Sequence, residues 1–149
     1  EASKLALSMV SENTSDIDAL KQIYNYVVNN LSYDYDKAET VETGYLPDVD
    51  ETLSTKTGIC FDYAALTTAM LRSCDIPCKL QIGYTGDIKH AWIDVYIRSK
   101  GWVTNAVSFN GDSWSLMDPT FDSSADSDDS EAIQDYIGNA DNYTVQFTR

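Results

Sequence analysis

The spacing of apolar residues changes once along this chain, and that change limits what its 149 residues can fold into. Up to about residue 73, apolar side chains recur at steps of three and four, as on one face of a helix. From about residue 79 they alternate with polar neighbours, as in strands with one buried face. The sequence therefore predicts helices in the first half and strands in the second.

Two helices are predicted before residue 32. A short one covers residues 5–10. A longer one begins near Ser15 and has an apolar stripe formed by Ile17, Leu20, Ile23, Tyr24, Val27, Val28 and Leu31. Ser15 is suited to the N-cap position, and Asp16 and Asp18 follow in the first turn, where the helix dipole favours acidic groups. The pattern therefore predicts an amphipathic helix from Ser15.

Residues 32–57 are polar and irregular, contain Gly44 and Pro47, and are predicted to form a long loop. A loop of this length inside a compact domain usually serves a function. This one leads directly to Cys60, so we expect it to form a wall of any site there. A further helix is predicted from Cys60 to about Ser73, where a thiol at the helix N-terminus gains from the dipole and the first N–H groups.

Four strands are predicted in the second half, at residues 79–84, 90–97, 102–109 and 113–117. A turn at residues 99–101 and the short-loop signal Asn110-Gly111 connect them. His90 begins one of these strands and Asp118 follows another, and adjacent antiparallel strands would bring the two side by side. Beyond an acidic, Ser-rich segment, a short helix is predicted at 133–137 and a last strand at 143–147.

The chain carries a net charge of −14, from 24 acidic and 10 basic residues. That balance argues against binding a nucleic-acid backbone or an anionic membrane surface, because both need clustered Lys and Arg. No apolar run approaches the roughly 20 residues that cross a bilayer. We therefore expect no nucleic-acid partner and no membrane insertion, and a preference for basic substrates stays an open alternative.

The length and the 43% content of hydrophobic residues fit one domain, residues 1–149, with an ordinary core. The chain starts at Glu1 with no Met and no signal-peptide pattern, so we expect a mature form or a segment of something longer. The acidic, Ser/Thr-rich composition favours a secreted or cell-surface bacterial protein. The composition predicts no oligomeric state.

Three residues stand in distinctive local patterns: Cys60, His90 and Asp118. His90 is the only histidine in the protein. A thiol with an ordinary pKa of about 8.5 is mostly protonated at neutral pH. A neighbouring imidazole can take its proton, and a carboxylate can hold that imidazole in the right tautomer. The combination predicts cysteine-based acyl transfer by a Cys60–His90–Asp118 triad.

The other cysteines, Cys74 and Cys78, leave two alternatives open. They form a disulfide while Cys60 stays reduced, or they are two small buried thiols. The spacing of three Cys and one His matches no structural-zinc pattern. Residues 122–131 resemble a calcium loop only in composition, since they lack the central Gly and the ligand spacing of an EF-hand. No metal site and no cofactor are predicted.

These motifs together resemble the transglutaminase-like superfamily, over about residues 15–122. Its bacterial members carry Gly-x-Cys-x-Asp-Tyr-Ala, matched by residues 58–64, and Leu-Arg-x-x-Gly-Ile-Pro-Ala, matched in part by residues 71–78. His-Ala-Trp then matches residues 90–92, Trp-x-x-x-Asp-Pro-Thr matches residues 114–120, and Tyr-x-Tyr matches residues 33–35. The departures are Asp75 for Gly, Cys78 for Ala, and an extra hairpin strand between Trp102 and Trp114.

The resemblance implies a papain-like α+β fold, with the nucleophile helix packed on an antiparallel β-sheet that supplies His and Asp. It implies a thioester on Cys60, formed from a protein or peptide amide and resolved by water or by an amine. The Cys60 N–H would be one oxyanion donor, and Tyr33 or Tyr35 is a candidate for the second. Trp92 shares a strand face with His90, and we expect it to flank the substrate groove.

A rival hypothesis is a binding or scaffold module on an inactive enzyme fold. Cys60 alone would otherwise be a core residue, His90 a hydrogen-bonded strand residue, and Asp118 the start of a turn before Pro119. Loss of a triad residue would be the signature of an inactive module, and all three are present. The sequence favours an enzyme and leaves hydrolysis or transfer to an amine undecided.

Overall fold

The computed structural model describes residues 1–85, 88–110, 113–116 and 144–148. Helices precede the main sheet, as the change of periodicity predicts. The elements are α1 (Ala2–Met9), α2 (Asp16–Asn30), β1 (Ser32–Tyr33), α3 (Tyr35–Thr40), α4 (Val49–Thr55), β2 (Thr57–Gly58), α5 (Cys60–Ser73), β3 (Cys78–Thr85), β4 (Ile88–Ile97), β5 (Gly101–Asn110), β6 (Ser113–Leu116) and β7 (Thr144–Thr148). The helices and the antiparallel sheet together confirm the α+β class.

The predicted amphipathic helix is confirmed as α2. The Ser15 side chain accepts a hydrogen bond from the N–H of Asp18 at 3.1 Å, which caps the helix at the predicted residue. The apolar stripe faces the core, where Ala19, Leu20, Ile23 and Val27 are buried. Helix α1 begins at Ala2, a few residues earlier than predicted.

The prediction of one long loop over residues 32–57 is wrong. The segment contains two short helices, α3 and α4, and the two short strands β1 and β2, which pair in parallel. Each helix is capped by an aspartate: Asp34 accepts the N–H of Lys37 at 2.9 Å, and Asp48 accepts two N–H groups of α4 at 3.0 Å each. The two helices bury almost no side chains, so they leave no apolar period to recognise.

The main sheet has the strand order β6-β5-β4-β3-β7, and all neighbours are antiparallel. The predicted strands and the β5–β6 hairpin are confirmed, and so is a last strand, which runs beside β3. The helix predicted at 133–137 and the acidic segment 122–131 lie outside the described residues.

Strand β4 has two contrasting faces. One face carries Ala91, Ile93, Val95 and Ile97, all of which belong to the apolar core. Helix α5 packs against the sheet across β3, β4 and β5. His90, Trp92 and Asp94 alternate with these four residues and are buried as well. Among the described residues, no helix is long and apolar enough to cross a bilayer.

Candidate active site

Cys60 is the first residue of α5, as predicted, and its exposed fraction is 2%. Ile59 before it is extended and serves as the N-cap residue. The first backbone bond of the helix runs from the N–H of Tyr63 to the carbonyl of Ile59, at 3.1 Å. The N–H groups of the first turn therefore point toward the end of the helix where the thiol lies, and their positive potential favours a thiolate.

The glycine and the aspartate of the Gly-x-Cys-x-Asp pattern, Gly58 and Asp62, pack tightly together beside Cys60. The Asp62 carboxylate is fully buried and accepts the N–H of Ile59 at 2.8 Å. A Cβ atom on Gly58 would lie 2.5 Å from the Cβ of Asp62, closer than two carbon atoms can approach. Glycine at 58 therefore allows Asp62 to fold back over the start of its own helix.

Asp62 also binds the segment that precedes the helix. The Tyr45 hydroxyl donates to Oδ1 of Asp62 at 2.6 Å, and the Lys37 ammonium lies 3.0 Å from Oδ2. The same ammonium lies 4.5 Å from the centre of the Tyr45 ring, and that ring meets Phe61 edge-on at 6.3 Å. The segment predicted to be a wall beside Cys60 thus contacts the first turn of α5.

The contacts among Lys37, Tyr45 and Asp62 change the pKa values of Lys37 and Tyr45. Burial lowers the pKa of Lys37, but its contacts with Tyr45 and Asp62 outweigh burial and the pKa is raised. Burial, followed by the hydrogen bond to Asp62, raises the pKa of Tyr45. Sequence reasoning missed Lys37 and Tyr45 because both lie in the segment predicted to be a loop. Asp34, followed three residues later by Lys37, was the only signal of the helix that carries Lys37.

His90 lies near the start of β4 and is 5% exposed. The strand register places it opposite Gly83 on β3 and Asn110 on β5. Its ring meets the ring of Trp92 edge-on at 6.0 Å, and Trp92 is also buried. The structure therefore places the Trp92 ring beside His90, and its position at a substrate groove stays a prediction.

An aromatic cluster joins the helix of Cys60 to strands β5 and β6 of the sheet. The Tyr63 ring stacks on Trp114 of β6 at 5.0 Å and contacts Phe109 of β5 at 5.6 Å. Phe109 lies opposite Ala91, the residue after His90, and also opposite Trp114. The first turn of α5 is therefore packed at the level of the sheet where His90 lies.

The two tyrosines predicted near the oxyanion are held beside the same helix end. Tyr33 pairs with Gly58, and the N–H of Asp34 donates to the carbonyl of Gly58 at 2.9 Å. The rings of Tyr33 and Tyr35 meet edge-on at 5.0 Å. Burial, reinforced by these two phenols, raises the pKa of Tyr63 to about 12.

Asp118 lies outside the described residues. The strand before it, β6, is not the neighbour of β4, because β5 lies between them. Strands β4 and β6 therefore run in the same direction, and the expected adjacency of the His90 strand and the strand before Asp118 is wrong. The cause is the extra hairpin strand, which adds β5 between the two. Trp114, which begins the Asp118 motif, is the residue stacked on Tyr63.

Cys74 and Cys78 are thiols, which resolves the alternative left open by the sequence. Cys78 is buried and donates to the carbonyl of Thr68 at 3.7 Å, whereas Cys74 is only partly buried. Burial raises the pKa of both thiols, and Asp75 adds to the increase at Cys74. In the described part of the chain, no three His, Cys, Asp or Glu side chains are grouped to hold a metal ion.

Comparison with known proteins adds curated relatives. The chain is 40% identical over 62 residues to UPF0252 protein MJ1282 of Methanocaldococcus jannaschii, covering 38% of this chain and 18% of the relative. It is 28% identical over 120 residues to the uncharacterized protein YebA of Bacillus subtilis, covering 67% and 16%. It is 24% identical over 132 residues to kyphoscoliosis peptidase of Mus musculus, covering 80% and 18%. The chain thus spans less than a fifth of each of these relatives.

Solved structures share the fold. A candidate cysteine protease from Cytophaga hutchinsonii has a TM-score of 0.57 at 18% identity, over 99% of this chain and 41% of that protein. A TGase has a TM-score of 0.52 at 19% identity, over 68% of this chain and 28% of that protein. At these identities the likeness concerns the fold alone, and it confirms a transglutaminase-like, papain-like α+β architecture.

The model of the Transglutaminase-like superfamily matches residues 3–119, most of the chain. That range includes the Cys60 helix, the His90 strand and the start of the Asp-Pro-Thr motif. The chain therefore belongs to the transglutaminase-like superfamily.

Proposed function

We propose that this protein is a cysteine-dependent enzyme that transfers acyl groups from protein or peptide amides. One observation carries the proposal. Cys60 is the first residue of a buried helix, where the first N–H groups face the thiol, and that helix packs against the strand that carries the only histidine. A thiol at that position has the electrostatic support that a nucleophile needs.

In the proposed mechanism, His90 accepts the proton of the Cys60 thiol, and the thiolate attacks the carbonyl carbon of the amide. A carbon–sulfur bond forms, and the carbonyl electrons move onto the oxygen. When the tetrahedral intermediate collapses, the carbon–nitrogen bond breaks and His90 returns the proton to the leaving amine. Water or a second amine then releases the acyl group from the thioester, with His90 again taking a proton.

Other residues would stabilise this sequence of steps. The N–H of Cys60 would donate to the oxyanion, with Tyr33 or Tyr35 as the second donor. Tyr33 is favoured by its pairing with Gly58, two residues before the nucleophile. Asp118 would orient His90. Support for Asp118 comes from its sequence motif.

The first experiment measures the rate at which iodoacetamide alkylates Cys60 as a function of pH, by peptide mass spectrometry, in the wild type, His90→Ala and Asp118→Ala. We expect rapid alkylation of the wild type below pH 7, because His90 stabilises the thiolate. His90→Ala should shift the midpoint toward that of an ordinary thiol, about 8.5, and Asp118→Ala should weaken the effect of His90.

Circular dichroism of each variant controls for unfolding. If the wild type titrates like an ordinary thiol and His90→Ala does not change the profile, Cys60 is not a nucleophile and the protein is a binding or scaffold module. If the alkylation midpoint of Asp118→Ala equals that of the wild type, the effect of His90 does not depend on Asp118. Asp118 then has no part in the mechanism.

The fate of the thioester is tested with casein. Incorporation of a fluorescent primary amine would identify a transferase, ammonia release without incorporation a deamidase, and cleavage of the casein chain a protease. The names of the similar proteins, a kyphoscoliosis peptidase, a candidate cysteine protease and a TGase, correspond to the protease and transferase outcomes. Cys60→Ala must abolish whichever reaction is seen.

A further inference from the structure

The nucleophile helix carries a buried carboxylate in the same turn as its thiol. The Asp62 carboxylate is 0% exposed and lies in the first turn of α5, two residues after Cys60. A carboxylate at that position caps the helix, but it also disfavours a second negative charge nearby. A cation that balances the buried carboxylate would therefore favour a thiolate at Cys60.

The structure provides that cation on a different element. Lys37 of α3 lies 3.0 Å from Oδ2 of Asp62, the same oxygen that accepts the N–H of Ile59. Its own side chain is 30% exposed, so the ammonium keeps contact with water while its charge faces the buried carboxylate. The Tyr45 ring lies against the ammonium, and the Tyr45 hydroxyl donates a hydrogen bond to the other carboxylate oxygen of Asp62.

We propose that Lys37 is a positioning residue for the nucleophile: it balances the buried charge of Asp62 and holds that carboxylate on the N–H of Ile59. The first turn of α5 then keeps a net positive potential at Cys60. This role rests on the proposed function of Cys60. It means that α3 positions the nucleophile as well as forming a wall beside it.

The other titratable groups around this helix end do not replace Lys37. His90 on β4 is the proposed base, and Tyr33, Tyr35 and Tyr63 are neutral phenols at neutral pH. The Asp34 carboxylate accepts the N–H of Lys37, and the Asp48 carboxylate accepts N–H groups at the start of α4. Lys37 is the cation that pairs with Asp62 among the described ion pairs.

The test measures the pH midpoint of Cys60 alkylation by iodoacetamide in Lys37→Met, Lys37→Arg and the double variant Lys37→Met/Asp62→Asn. Lys4→Met is the matched control, because Lys4 is exposed on α1 and its loss changes the net charge equally. Lys37→Met should raise the midpoint by about one pH unit, the lower end of the range for the effect of a neighbouring cation on an anionic group. Lys37→Arg should stay close to the wild type.

The double variant separates charge from packing. It lacks both the cation and the anion, so its midpoint should return toward the wild-type value even though the contact is lost. A midpoint in Lys37→Met equal to that in Lys4→Met would overturn the inference. So would a double variant shifted as far as Lys37→Met, since the shift would then come from lost packing.

The two proposals fail in different ways. If wild-type Cys60 titrates like an ordinary thiol, the proposed function fails, and this inference fails with it. If the wild-type midpoint is low and Lys37→Met leaves it low, only the role of Lys37 is wrong. Because Lys37 lies partly in solvent, Lys37→Met and Lys37→Arg should fold. If Asp62→Asn prevents folding, Lys37→Arg separates charge from packing instead: a midpoint in Lys37→Arg as high as that in Lys37→Met would overturn the inference.

Discussion

The two ends of helix α5 place the same chemical group in opposite surroundings. Cys60 begins the helix, where N–H groups of the first turn point toward the thiol. Cys74 follows Ser73 at the other end, and the carbonyl of Leu71 accepts its N–H at 3.0 Å. The positive end of the helix dipole favours a thiolate, and the negative end opposes one. Asp75 beside Cys74 strengthens that opposition.

For these two thiols, solvent exposure and local potential predict opposite orders of reactivity. Cys60 is almost fully buried, whereas Cys74 is partly exposed. If access alone controlled the chemistry, Cys74 would react first. If the local potential controls it, Cys60 reacts first. The following experiments test this contrast.

The largest effect is expected on ester turnover. Cys60→Ala should slow the release of p-nitrophenolate from p-nitrophenyl acetate by about 100-fold or more, because the acyl-enzyme cannot form. Cys74→Ala should leave the rate unchanged, since Cys74 lies at the far end of the helix. The measurement is the absorbance of p-nitrophenolate during the burst and steady state. If Cys60→Ala and Cys74→Ala lost the same fraction of the turnover rate, the two ends of α5 would not differ in reactivity.

The second effect concerns the three thiols of one molecule at pH 6.5. A raised pKa means less thiolate at any pH below it, so Cys74 and Cys78 should react slowly with iodoacetamide. Cys60 should react at least about tenfold faster, as expected for a thiol at a helix N-terminus. Peptide mass spectrometry of a short reaction gives the three rates. Unfolding in urea serves as the control and should make the rates similar. Faster labelling of Cys74 in the folded protein would mean that access decides.

The smallest effects are on stability, and they differ between the two ends. Gly58→Ala should lower the free energy of unfolding by about 2 kcal/mol, because the new Cβ overlaps the Asp62 side chain. Arg72→Met should lower it by about 1 kcal/mol, since the Arg72 guanidinium loses its 2.9 Å hydrogen bond to the carbonyl of Cys78. Urea denaturation measures both.

Activity then separates the two variants. Gly58→Ala should also slow ester turnover, because Asp62 and the backbone before Cys60 must move. Arg72→Met should keep full turnover. A Gly58→Ala protein as active and as stable as the wild type would show that the close approach of Gly58 and Asp62 is not needed.

The sequence predicted the elements that bury a regular apolar face. Helix α2, helix α5 and the strands of the sheet are confirmed because their core positions repeat with a clear period. Helices α3 and α4 were missed because aspartate caps and the small β1–β2 pair hold them, and neither leaves an apolar period. The Lys37–Asp62 contact could not be predicted, because a contact between residues 25 positions apart depends on the fold of the missed segment.

The strand order shows a different limit. The sequence predicted the β5–β6 hairpin from Asn110-Gly111, and the structure confirms it. The neighbour of β4 depends on how many strands follow it in the chain. The extra hairpin strand is β5, and β5 pairs with β4. The local sequence patterns predicted the residues of the triad, but the described strands place Asn110, rather than a residue near Asp118, opposite His90.

The parallel pairing of β1 with β2 has a consequence for how this family can vary. Tyr33 pairs with Gly58, so the segment between them leaves and returns at one point directly before Cys60. A segment whose two ends are clamped together can change length at modest entropic cost. Residues 41–44, between α3 and Tyr45, are therefore a natural place for insertions, which would reshape the surface beside the nucleophile while the nucleophile stays in register.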